Sequence, residues 1–358
     1  MPGSPDRAPA PSVREGSSVR EGSSVRERPR VVVSVPPRLR PELFAPAVWE
    51  ELASAAELTV LDDHTDAVAL AAALPGAHAL ITSWGTPRVA GPLLAAADRL
   101  ALVAHTGSAV APYVAPEVFA RNIRVTQAGD AMARPVAEVA LAFTLALLHR
   151  VHRFDHALRS GAAWETASAA PPRHEIHGSE IGVIGASRTG RAYIALARAL
   201  GARVSVSDPF LSDEEAEHLG VRRVSLDRLL CGSRVVAVHA PATEETRHLL
   251  NGPRLALMPD GASLVNTARS WLVDEAALLA EVRDGRLDAA IDVFDAEPLP
   301  VDHPFRSLPN VLLTPHQAAG TVECRLRLGA SAADEVLRLL GGRGAAHPVG
   351  PEALVRLH

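Results

Sequence analysis

The sequence predicts an α/β protein built from two doubly wound parallel sheets. Strand-length runs of β-branched and apolar residues alternate with helical stretches, one long apolar helix interrupts the alternation, and a second series of strand-length runs follows. Such alternation is typical of parallel sheets that carry helices on both faces. The 358 residues also suffice for two domains with separate cores, at about 100–200 residues per domain.

The predicted elements follow the chain in two series. The first series of strands is predicted at residues 31–35, 58–61, 79–82, 101–105 and 123–126, with helices at 46–56 and 91–99. A long apolar helix over about residues 135–154 comes next. The second series is predicted at residues 180–184, 203–207, 235–239, 263–266, 289–293 and 311–314. A final helix, over about residues 325–340, most simply returns to the first sheet.

Residues 1–29, ahead of the first strand, are predicted to form a disordered tail. The hexad Ser-Val-Arg-Glu-Gly-Ser starts at Ser12, recurs at Ser18 and begins again at Ser24, among proline, glycine and serine. A segment of this composition buries too little apolar surface to offset the entropy lost on ordering.

Composition and charge exclude several kinds of partner. A formal net charge of −5 gives no basic surface for nucleic acid or an anionic membrane. The longest apolar run, about residues 136–148, contains Glu138 and is shorter than the ~20 residues that span a bilayer. The N-terminus carries no apolar segment typical of a secretory signal. We therefore expect a cytoplasmic protein that binds neither nucleic acid nor membrane.

Two residue types limit the chemistry further. The two cysteines, Cys231 and Cys324, are too few for a disulfide framework or a thiolate zinc site, and no metal site is expected. All 36 basic residues are arginine. A chain without lysine forms no lysine Schiff base, anchors no pyridoxal phosphate and has no Walker-type phosphate-binding lysine.

A glycine-rich loop opens the second series and predicts a dinucleotide site. The strand at residues 180–184 ends in Gly185-Ala186-Ser187-Arg188-Thr189-Gly190, and a helical run follows. This is the G-x-G-x-x-G pattern between a strand and a helix, with serine in the middle glycine position. The Ser187 hydroxyl is expected to donate to a phosphate, and Arg188 to add a charge-assisted contact.

Asp208 predicts which dinucleotide is bound. It follows the next strand, 23 positions after Gly185, where an acidic residue accepts hydrogen bonds from the adenosine ribose hydroxyls. The same carboxylate repels the additional phosphate of NADP, so NAD is the expected cofactor. A glycine pattern alone also fits a simple turn; the strand, the helix and the acid together favour dinucleotide binding.

Three polar residues follow later strands, where an open α/β sheet binds its ligands. Arg269, Glu297 and His316 come after the strands at 263–266, 289–293 and 311–314. Taken singly, they are a surface arginine, a solvated loop acid and one of 15 histidines. Taken together, an arginine fork binds a carboxylate, a histidine moves a proton near neutral pH, and a neighbouring carboxylate fixes its tautomer.

These residues lie in stretches that resemble the D-isomer-specific 2-hydroxyacid dehydrogenases. The matching stretches are residues 182–191, Asp208-Pro209, His239-Ala240-Pro241 with Thr246-Arg247, residues 266–269, Val273-Asp274-Glu275, residues 292–298, Thr314-Pro315-His316, and upstream Gly107-Ser108-Ala109-Val110 and Val136-Ala137-Glu138. The resemblance extends from about Arg30 to the C-terminus. It implies D-specific hydride transfer between NAD(H) and a 2-oxo/2-hydroxy acid. We expect a flavodoxin-like substrate domain over residues 30–130, completed by 318–358, and a Rossmann NAD domain over residues 131–317.

The resemblance also implies roles for individual residues. Arg269 would bind the substrate carboxylate and carbonyl, His316 would be the acid/base, and Glu297 its partner. The backbone of Gly107, Ser108 and Ala109 would hold the substrate carboxylate. Asp292 would face the nicotinamide, and His239, Ala240 and Pro241 would line the adenine side. The expected cofactor-binding residues are Gly185, Ser187, Arg188, Thr189, Gly190, Asp208, His239, Ala240, Pro241, Thr246, Thr267, Ala268 and Asp292.

The chain departs from the family pattern at three places that bear on the substrate. Residues 107–111 lack the second glycine and the aspartate of the usual loop, and Ser270-Trp271 replaces a small pair. Trp271 is either a packing residue or a narrowing of the active-site mouth. Trp84 lies where phosphoglycerate dehydrogenases carry a phosphate-binding arginine, although Arg88 is close in sequence. An aromatic residue there favours an apolar or aromatic substrate tail.

Two alternative functions share this scaffold. Formate dehydrogenase resembles this chain but has glutamine in place of the glutamate, so Glu297 argues against it. An NAD(H)-sensing protein of the corepressor type can keep the catalytic residues, because fold does not fix function.

The helix over residues 135–154 predicts a homodimer. Its residues leave almost no polar face, and a helix apolar all round is buried on more than one side. A second subunit across a two-fold axis would cover the outer face, and the alternative is a helix wholly interior to the monomer. Phe143→Glu or Leu147→Glu is then expected to give monomers or prevent soluble expression.

Overall fold

The described part of the chain, residues 28–169 and 171–355 of a computed structural model, contains two sheets. The strands are β1 (Arg30–Ser34), β2 (Glu57–Val60), β3 (Ala77–Thr82), β4 (Leu102–His105), β5 (Arg124–Gln127), β6 (Glu180–Ile184), β7 (Arg203–Ser207), β8 (Arg222–Arg223), β9 (Val235–Val238), β10 (Ser263–Asn266), β11 (Asp288–Ile291), β12 (Val311–Leu313) and β13 (Pro348–Val349). The α-helices are α1 (Arg40–Leu43), α2 (Pro46–Ala55), α3 (Ala67–Ala73), α4 (Gly91–Ala96), α5 (Pro116–Ala120), α6 (Ala133–Leu148), α7 (Val151–Arg159), α8 (Trp164–Ser168), α9 (Arg188–Ala199), α10 (Asp213–Leu219), α11 (Leu226–Gly232), α12 (Gly252–Leu255), α13 (Glu275–Arg283) and α14 (Val322–Leu340). The predicted tail lies outside these residues except for Arg28 and Pro29, and the Arg28 guanidinium donates to the carbonyl oxygens of Ala53 and Ala56.

The first sheet has the order β2-β1-β3-β4-β5 and is extended by β13. Strands β1 to β5 pair in parallel, in the order typical of flavodoxin-like folds. The short β13 pairs antiparallel with β5, and α14 packs against α1, α2 and β4. The C-terminal part of the chain thus contributes an edge strand and a packed helix to the first sheet.

The second sheet has the order β8-β7-β6-β9-β10-β11-β12, and all of its pairs are parallel. This is a Rossmann order with one additional strand, and its direction reverses between β6 and β9. Both faces of each sheet carry a separate hydrophobic cluster. These features confirm the predicted two-sheet, doubly wound α/β fold.

The prediction of one helix over residues 135–154 is wrong near its C-terminal end. The helix ends at Leu148, and a second helix, α7, begins at Val151. Between them Arg150 adopts a left-handed conformation, φ 57°, which ends a right-handed helix. The buried Arg150 guanidinium pairs with Asp288 at the start of β11, and Arg153 of α7 binds the same carboxylate, Nη2 to Oδ1, at 2.5 Å. This buried cluster fixes the turn between the two helices.

The segment Gly129–Leu148, which is α6 with the 3-10 turn before it, is long and apolar enough to cross a membrane by length and composition. The expectation that this run is too short was wrong, because the helix continues through the 3-10 turn Gly129–Met132. Its inner face packs against α9 and strands β9 to β11 through Ala137, Ala140 and Leu147. We therefore interpret α6 as a core helix of the second sheet.

The outer face of α6 carries the exposed ion pair between Arg134 and Glu138 as well as apolar residues. Leu145 is half-buried on this face and Glu138 is exposed. Phe143 and Leu147, by contrast, are only 5% and 0% exposed within one chain. Glutamate at either position would disrupt the core of a monomer or a dimer alike. Leu145 is therefore the better position for testing a dimer contact.

Candidate active site

The glycine-rich loop lies where the strand order of the second sheet reverses. Gly185 has φ 93°, and a Cβ there would lie 2.6 Å from the Ala240 backbone. A Cβ on Gly190 would lie 2.1 Å from the Gly185 carbonyl oxygen. Both positions therefore require glycine for close packing of the loop against β9 and of α9 against the loop.

Asp208 is held at the glycine-rich loop by two hydrogen bonds. Its Oδ2 accepts from the Ala186 N–H at 2.7 Å and its Oδ1 from the Phe210 N–H at 2.8 Å. Each carboxylate oxygen keeps a further lone pair for a ribose hydroxyl. The structure thus places the Asp208 carboxylate at the glycine-rich loop.

The Ser187 hydroxyl has a different set of partners from the one expected. It accepts from the Gly190 N–H at 3.2 Å as the N-cap of α9, and it donates to the His239 carbonyl oxygen at 2.8 Å. Its single proton is already used within the protein, so the hydroxyl is not free to donate to a phosphate. The expected phosphate contact of Ser187 is corrected to a structural role, since the hydroxyl ties α9 to the end of β9.

The Arg188 side chain extends from the glycine-rich loop toward the loops of the first sheet. Its guanidinium pairs with Asp130, in the 3-10 turn that connects β5 to α6, and both side chains are about half exposed. Asp130 also lies 3.0 Å from the His347 ring, Oδ2 to Nδ1. Arg188 therefore connects the loop of the second sheet to the first sheet's loops. Thr189, half-buried, lies in the first turn of α9.

The His239 ring is turned into the protein rather than toward the adenine side. It is 4% exposed, its centroid lies 5.0 Å from that of Tyr193, and burial lowers its pKa to about 3. The backbone of His239 and the next two residues, Ala240 and Pro241, remain beside the glycine-rich loop. The Thr246 hydroxyl donates to the Pro241 carbonyl oxygen at 2.8 Å and so shapes this segment.

The turn after β10 is organised by Asn266, to which the sequence assigned no role of its own. Its side chain donates to the Arg269 carbonyl oxygen at 2.9 Å and accepts from the Ala268 N–H at 3.0 Å. Within the described residues the buried Thr267 Oγ1 has no hydrogen-bond partner. An unpaired buried hydroxyl beside a glycine cradle fits a polar ligand such as a dinucleotide.

Trp271 is clamped to the neighbouring loop. Its Nε1 donates to the Thr243 carbonyl oxygen at 2.8 Å, and the Arg247 guanidinium lies 4.9 Å from the ring centroid. Of the two interpretations of Trp271, the structure favours packing, because both the indole N–H and the ring contact the loop of residues 243–247.

Arg269, Glu297 and His316 are brought together at the same edge of the second sheet. His316 Nδ1 lies 2.7 Å from Glu297 Oε2, and Glu297 Oε1 accepts from the Phe294 N–H at 3.0 Å. An ionised carboxylate only accepts, so Nδ1 carries a hydrogen and Nε2 is the nitrogen that gains or loses a proton. Burial lowers the pKa of Arg269, and the nearby charge of Glu297 raises it.

Asp292 anchors the loop that carries His316. It is 0% exposed and accepts from the Thr314 hydroxyl at 2.5 Å, the Gln317 N–H at 2.9 Å and the Ala318 N–H at 3.0 Å. His316 has φ 54°, a conformation that is unfavourable for a non-glycine residue and persists only when its surroundings fix it. The structure thus gives Asp292 partners in the protein itself, rather than a position open to the nicotinamide.

The loop after β4 carries three backbone N–H groups without a partner. Within residues 28–169 and 171–355 nothing accepts a hydrogen bond from the N–H groups of Gly107, Ser108 or Ala109. The Gly107 carbonyl oxygen accepts from the Ala128 N–H at 2.9 Å, which holds the loop against the end of β5. Consecutive free N–H groups are suited to binding an anion such as a carboxylate.

The described residues contain no group of three or more His, Cys, Asp or Glu side chains that could hold a metal ion.

Comparison with known proteins gives the site a family. The model of the D-isomer specific 2-hydroxyacid dehydrogenase NAD binding domain matches residues 141–318. D-3-phosphoglycerate dehydrogenase of Mycobacterium leprae is 37% identical over 281 residues, 78% of this chain and 52% of that enzyme, so the chain spans about half its length. Hydroxypyruvate reductase of Thermotoga maritima is 33% identical over 289 residues, 80% of this chain and 92% of the enzyme.

Solved structures agree with these relatives. The crystal structure of a phosphoglycerate oxidoreductase from Rhizobium etli is 29% identical, covers 90% of this chain and 98% of its own, and superposes with a TM-score of 0.72. The fold, the glycine-rich loop and the similarity to a reductase over 80% of this chain all indicate the same family. This chain belongs to the D-isomer specific 2-hydroxyacid dehydrogenase family, and residues 141–318 are its NAD binding domain.

Proposed function

We propose that the protein is an NAD-dependent, D-specific dehydrogenase that interconverts a 2-oxo acid and the corresponding 2-hydroxy acid. The observation that carries this proposal is the 2.7 Å contact between His316 Nδ1 and Glu297 Oε2, in a site that also holds Arg269. A histidine fixed by a carboxylate and a half-buried guanidinium are the groups needed to protonate a carbonyl oxygen and bind an α-carboxylate.

The carboxylate of the substrate is bound from two sides in this proposal. The Arg269 guanidinium provides a fork with several donors, and burial strengthens its pull on an anion because less water competes. The free N–H groups of Gly107, Ser108 and Ala109 provide the second side. Together they hold C2 of the substrate in one orientation, which would underlie D-specificity.

His316 moves the proton. NADH held at the glycine-rich loop would supply the hydride for C2, so that the 2-oxo acid, NADH and one proton would give the 2-hydroxy acid and NAD⁺. The proton comes from Nε2 of His316, and Glu297 stabilises the protonated ring through Nδ1. In the oxidative direction neutral His316 accepts the hydroxyl proton at Nε2. Such acid–base catalysis contributes about 10²–10⁴-fold.

A homodimer and a cytoplasmic location belong to the same proposal. The half-buried Leu145 on the outer face of α6 supports a second subunit packing there. The cysteines, Cys231 and Cys324, are both free thiols, as is usual in a reducing compartment.

The purified protein with NADH and a panel of 2-oxo acids tests the proposal, with the loss of reduced-nicotinamide absorbance as readout. We expect turnover of at least one acid, and oxidation of its D-hydroxy isomer but not of the L-isomer. Tight NADH binding without turnover of any acid would instead indicate an NAD(H)-sensing protein. Formate oxidation in the absence of 2-oxo acid turnover would also contradict the proposal.

A further inference from the structure

Three aromatic rings contact one another in sequence near the carboxyl ends of β3 and β4, one pair edge to face and the other stacked. The Trp84 and His105 centroids lie 6.4 Å apart at an interplanar angle of 66°, and His105 stacks on Tyr113 at 4.3 Å. We call Trp84, His105 and Tyr113 the aromatic layer. Trp84 is 41% exposed, whereas His105 is 2% exposed, so Trp84 is the open end of the layer.

The aromatic layer is uncharged at neutral pH. Burial lowers the pKa of His105 to about 3, and its Nδ1 lies 3.0 Å from the Thr82 hydroxyl. Burial also raises the pKa of Tyr113, against a smaller opposite effect of a backbone hydrogen bond from Gly85. Neither ring therefore provides a charge to a substrate.

The aromatic layer adjoins the loop that carries the free N–H groups. A Cβ on Gly107 would lie 2.7 Å from His105 Nε2 and 3.4 Å from Trp84 Cζ2. On the other side of the same loop, a Cβ on Gly129 would meet Ser108 at 2.7 Å and Arg188 of the glycine-rich loop at 3.2 Å. Trp84 is thus next to the proposed carboxylate site, on the side away from the NAD binding domain.

The ionisable groups around Trp84 provide too few positive charges to bind a phosphate ester. Arg88 is exposed and its Nε donates to the Val114 carbonyl oxygen at 3.2 Å. His64 Nε2 lies 2.9 Å from the position of a Cβ on Gly85, and the Asp63 carboxylate beside it is negative. A phosphate ester carries nearly two negative charges and is normally bound by several arginine or lysine donors. Arg88 alone, with an acidic neighbour of His64, provides no such cluster.

We infer that the aromatic layer binds the side chain of the substrate, and that this side chain is apolar with an aromatic or branched end rather than a phosphate ester. The inference rests on the proposed function, because it needs the carboxylate at residues 107–109. It separates this chain from relatives that are named phosphoglycerate dehydrogenases. The exposed indole offers a large, rigid apolar surface to such a side chain.

The test compares kcat/KM of the full chain with NADH for phenylpyruvate, 4-methyl-2-oxopentanoate, glyoxylate and 3-phosphohydroxypyruvate. We expect phenylpyruvate or 4-methyl-2-oxopentanoate to exceed the phosphorylated acid by about 100-fold or more, the range by which pockets discriminate apolar groups. A preference for 3-phosphohydroxypyruvate or for glyoxylate would overturn the inference while leaving the proposed function intact. Failure of every acid would contradict the proposed function instead.

Substitutions distinguish the contribution of Trp84 to substrate preference from that of Arg88. Trp84→Ala should lower kcat/KM for phenylpyruvate about tenfold more than for glyoxylate, and Trp84→Phe should restore most of this ratio. Trp164→Ala removes another exposed indole, 72% exposed in α8, and should leave the ratio at the wild-type value. If Arg88→Ala selectively abolishes activity on the phosphorylated acid while Trp84→Ala leaves the ratio unchanged, the inference is wrong.

A binding measurement decides the matter without catalysis. Calorimetric titration of phenylpyruvate into the NAD⁺ complex, a pair between which no hydride can pass, should show binding that Trp84→Ala weakens and Trp164→Ala does not. Binding that neither variant changes, or no binding at all, would overturn the assignment of Trp84.

Discussion

Asp292→Asn tests whether Asp292 acts on the protein or on the cofactor. The buried carboxylate accepts three hydrogen bonds from the Thr314, Gln317 and Ala318 donors of the His316 loop. Asparagine has nearly the same shape, and its Oδ1 can keep the first two of these bonds. Its NH₂ group, however, would face the N–H of Ala318, so two donors would meet where a donor and an acceptor do now.

The expected magnitude follows from that single mismatch. A buried donor left without an acceptor costs about 1–3 kcal/mol. His316 is held at φ 54° by this loop, so the cost is relieved by moving the loop and with it the imidazole. At about 1.4 kcal/mol for each tenfold change in rate, kcat should fall by roughly 5- to 150-fold. Asp295→Asn, at an exposed position of the same segment, is the matched control and should retain wild-type kcat.

The assay is steady-state turnover of the best 2-oxo acid, together with NADH affinity measured by fluorescence titration. We expect Asp292→Asn to lower kcat in the stated range and to leave the NADH dissociation constant within about threefold. If NADH binding weakens tenfold or more while kcat at saturating NADH stays near wild type, Asp292 contacts the cofactor and the reasoning is refuted.

Three further predictions concern cofactor choice, acid stability and assembly. Asp208→Ser should raise the ratio of NADP to NAD use in kcat/KM by about tenfold or more, because no carboxylate then opposes the 2′-phosphate; a wild-type preference for NADP would contradict this. Burial alone would raise the pKa of Asp288. Contacts with His152 and Arg153 and the charge of Arg150 outweigh that effect and lower the pKa to about 2. The ionised form therefore stabilises the fold above pH 4 by about 2 kcal/mol, and this contribution is lost as pH falls toward 2; Asp288→Asn should remove that part of the pH dependence in urea unfolding, and parallel profiles would refute it. Leu145→Glu should lower the light-scattering mass from near twice 37.7 kDa to one chain without unfolding the protein, and a wild-type monomer at tens of micromolar would exclude the dimer.

Most of the fold follows from local sequence patterns. Strand-length apolar and β-branched runs predict all but two of the described strands, with each end within two residues of its observed position. The missing strands, β8 and β13, have two residues each and form only because a neighbouring strand offers an open edge. Nothing in the local pattern of Arg222-Arg223 or Pro348-Val349 indicates pairing.

The helix break at Arg150 depends on a partner distant in sequence. Residues 135–154 read as one apolar helix, and arginine is a good helix former. The left-handed turn at Arg150 is stabilised by Asp288, 138 positions later, which no local pattern reveals. A buried ion pair of this kind is visible only once the sheet is assembled.

In the candidate site, too, some features are predictable from the sequence and others are not. Residue types at strand ends predict that Arg269, Glu297 and His316 meet, since parallel strands bring their carboxyl ends to one edge. The direction of individual side chains is not predictable from type: Ser187 caps α9, and the His239 ring lies against Tyr193. Both details depend on rotamers chosen by packing, which the sequence pattern does not encode.

The most direct test of the central claim is turnover of His316→Ala with its NADH affinity measured on the same preparation. His303→Ala is the matched control, because His303 forms another histidine–glutamate pair, Nε2 to Glu275 Oε1 at 3.1 Å, that does not include His316 or Glu297. If His316 transfers the proton, His316→Ala loses about 10²-fold or more in kcat, keeps NADH binding within about threefold, and His303→Ala keeps turnover. Retention of more than about a tenth of wild-type kcat by His316→Ala would contradict the proposed chemistry.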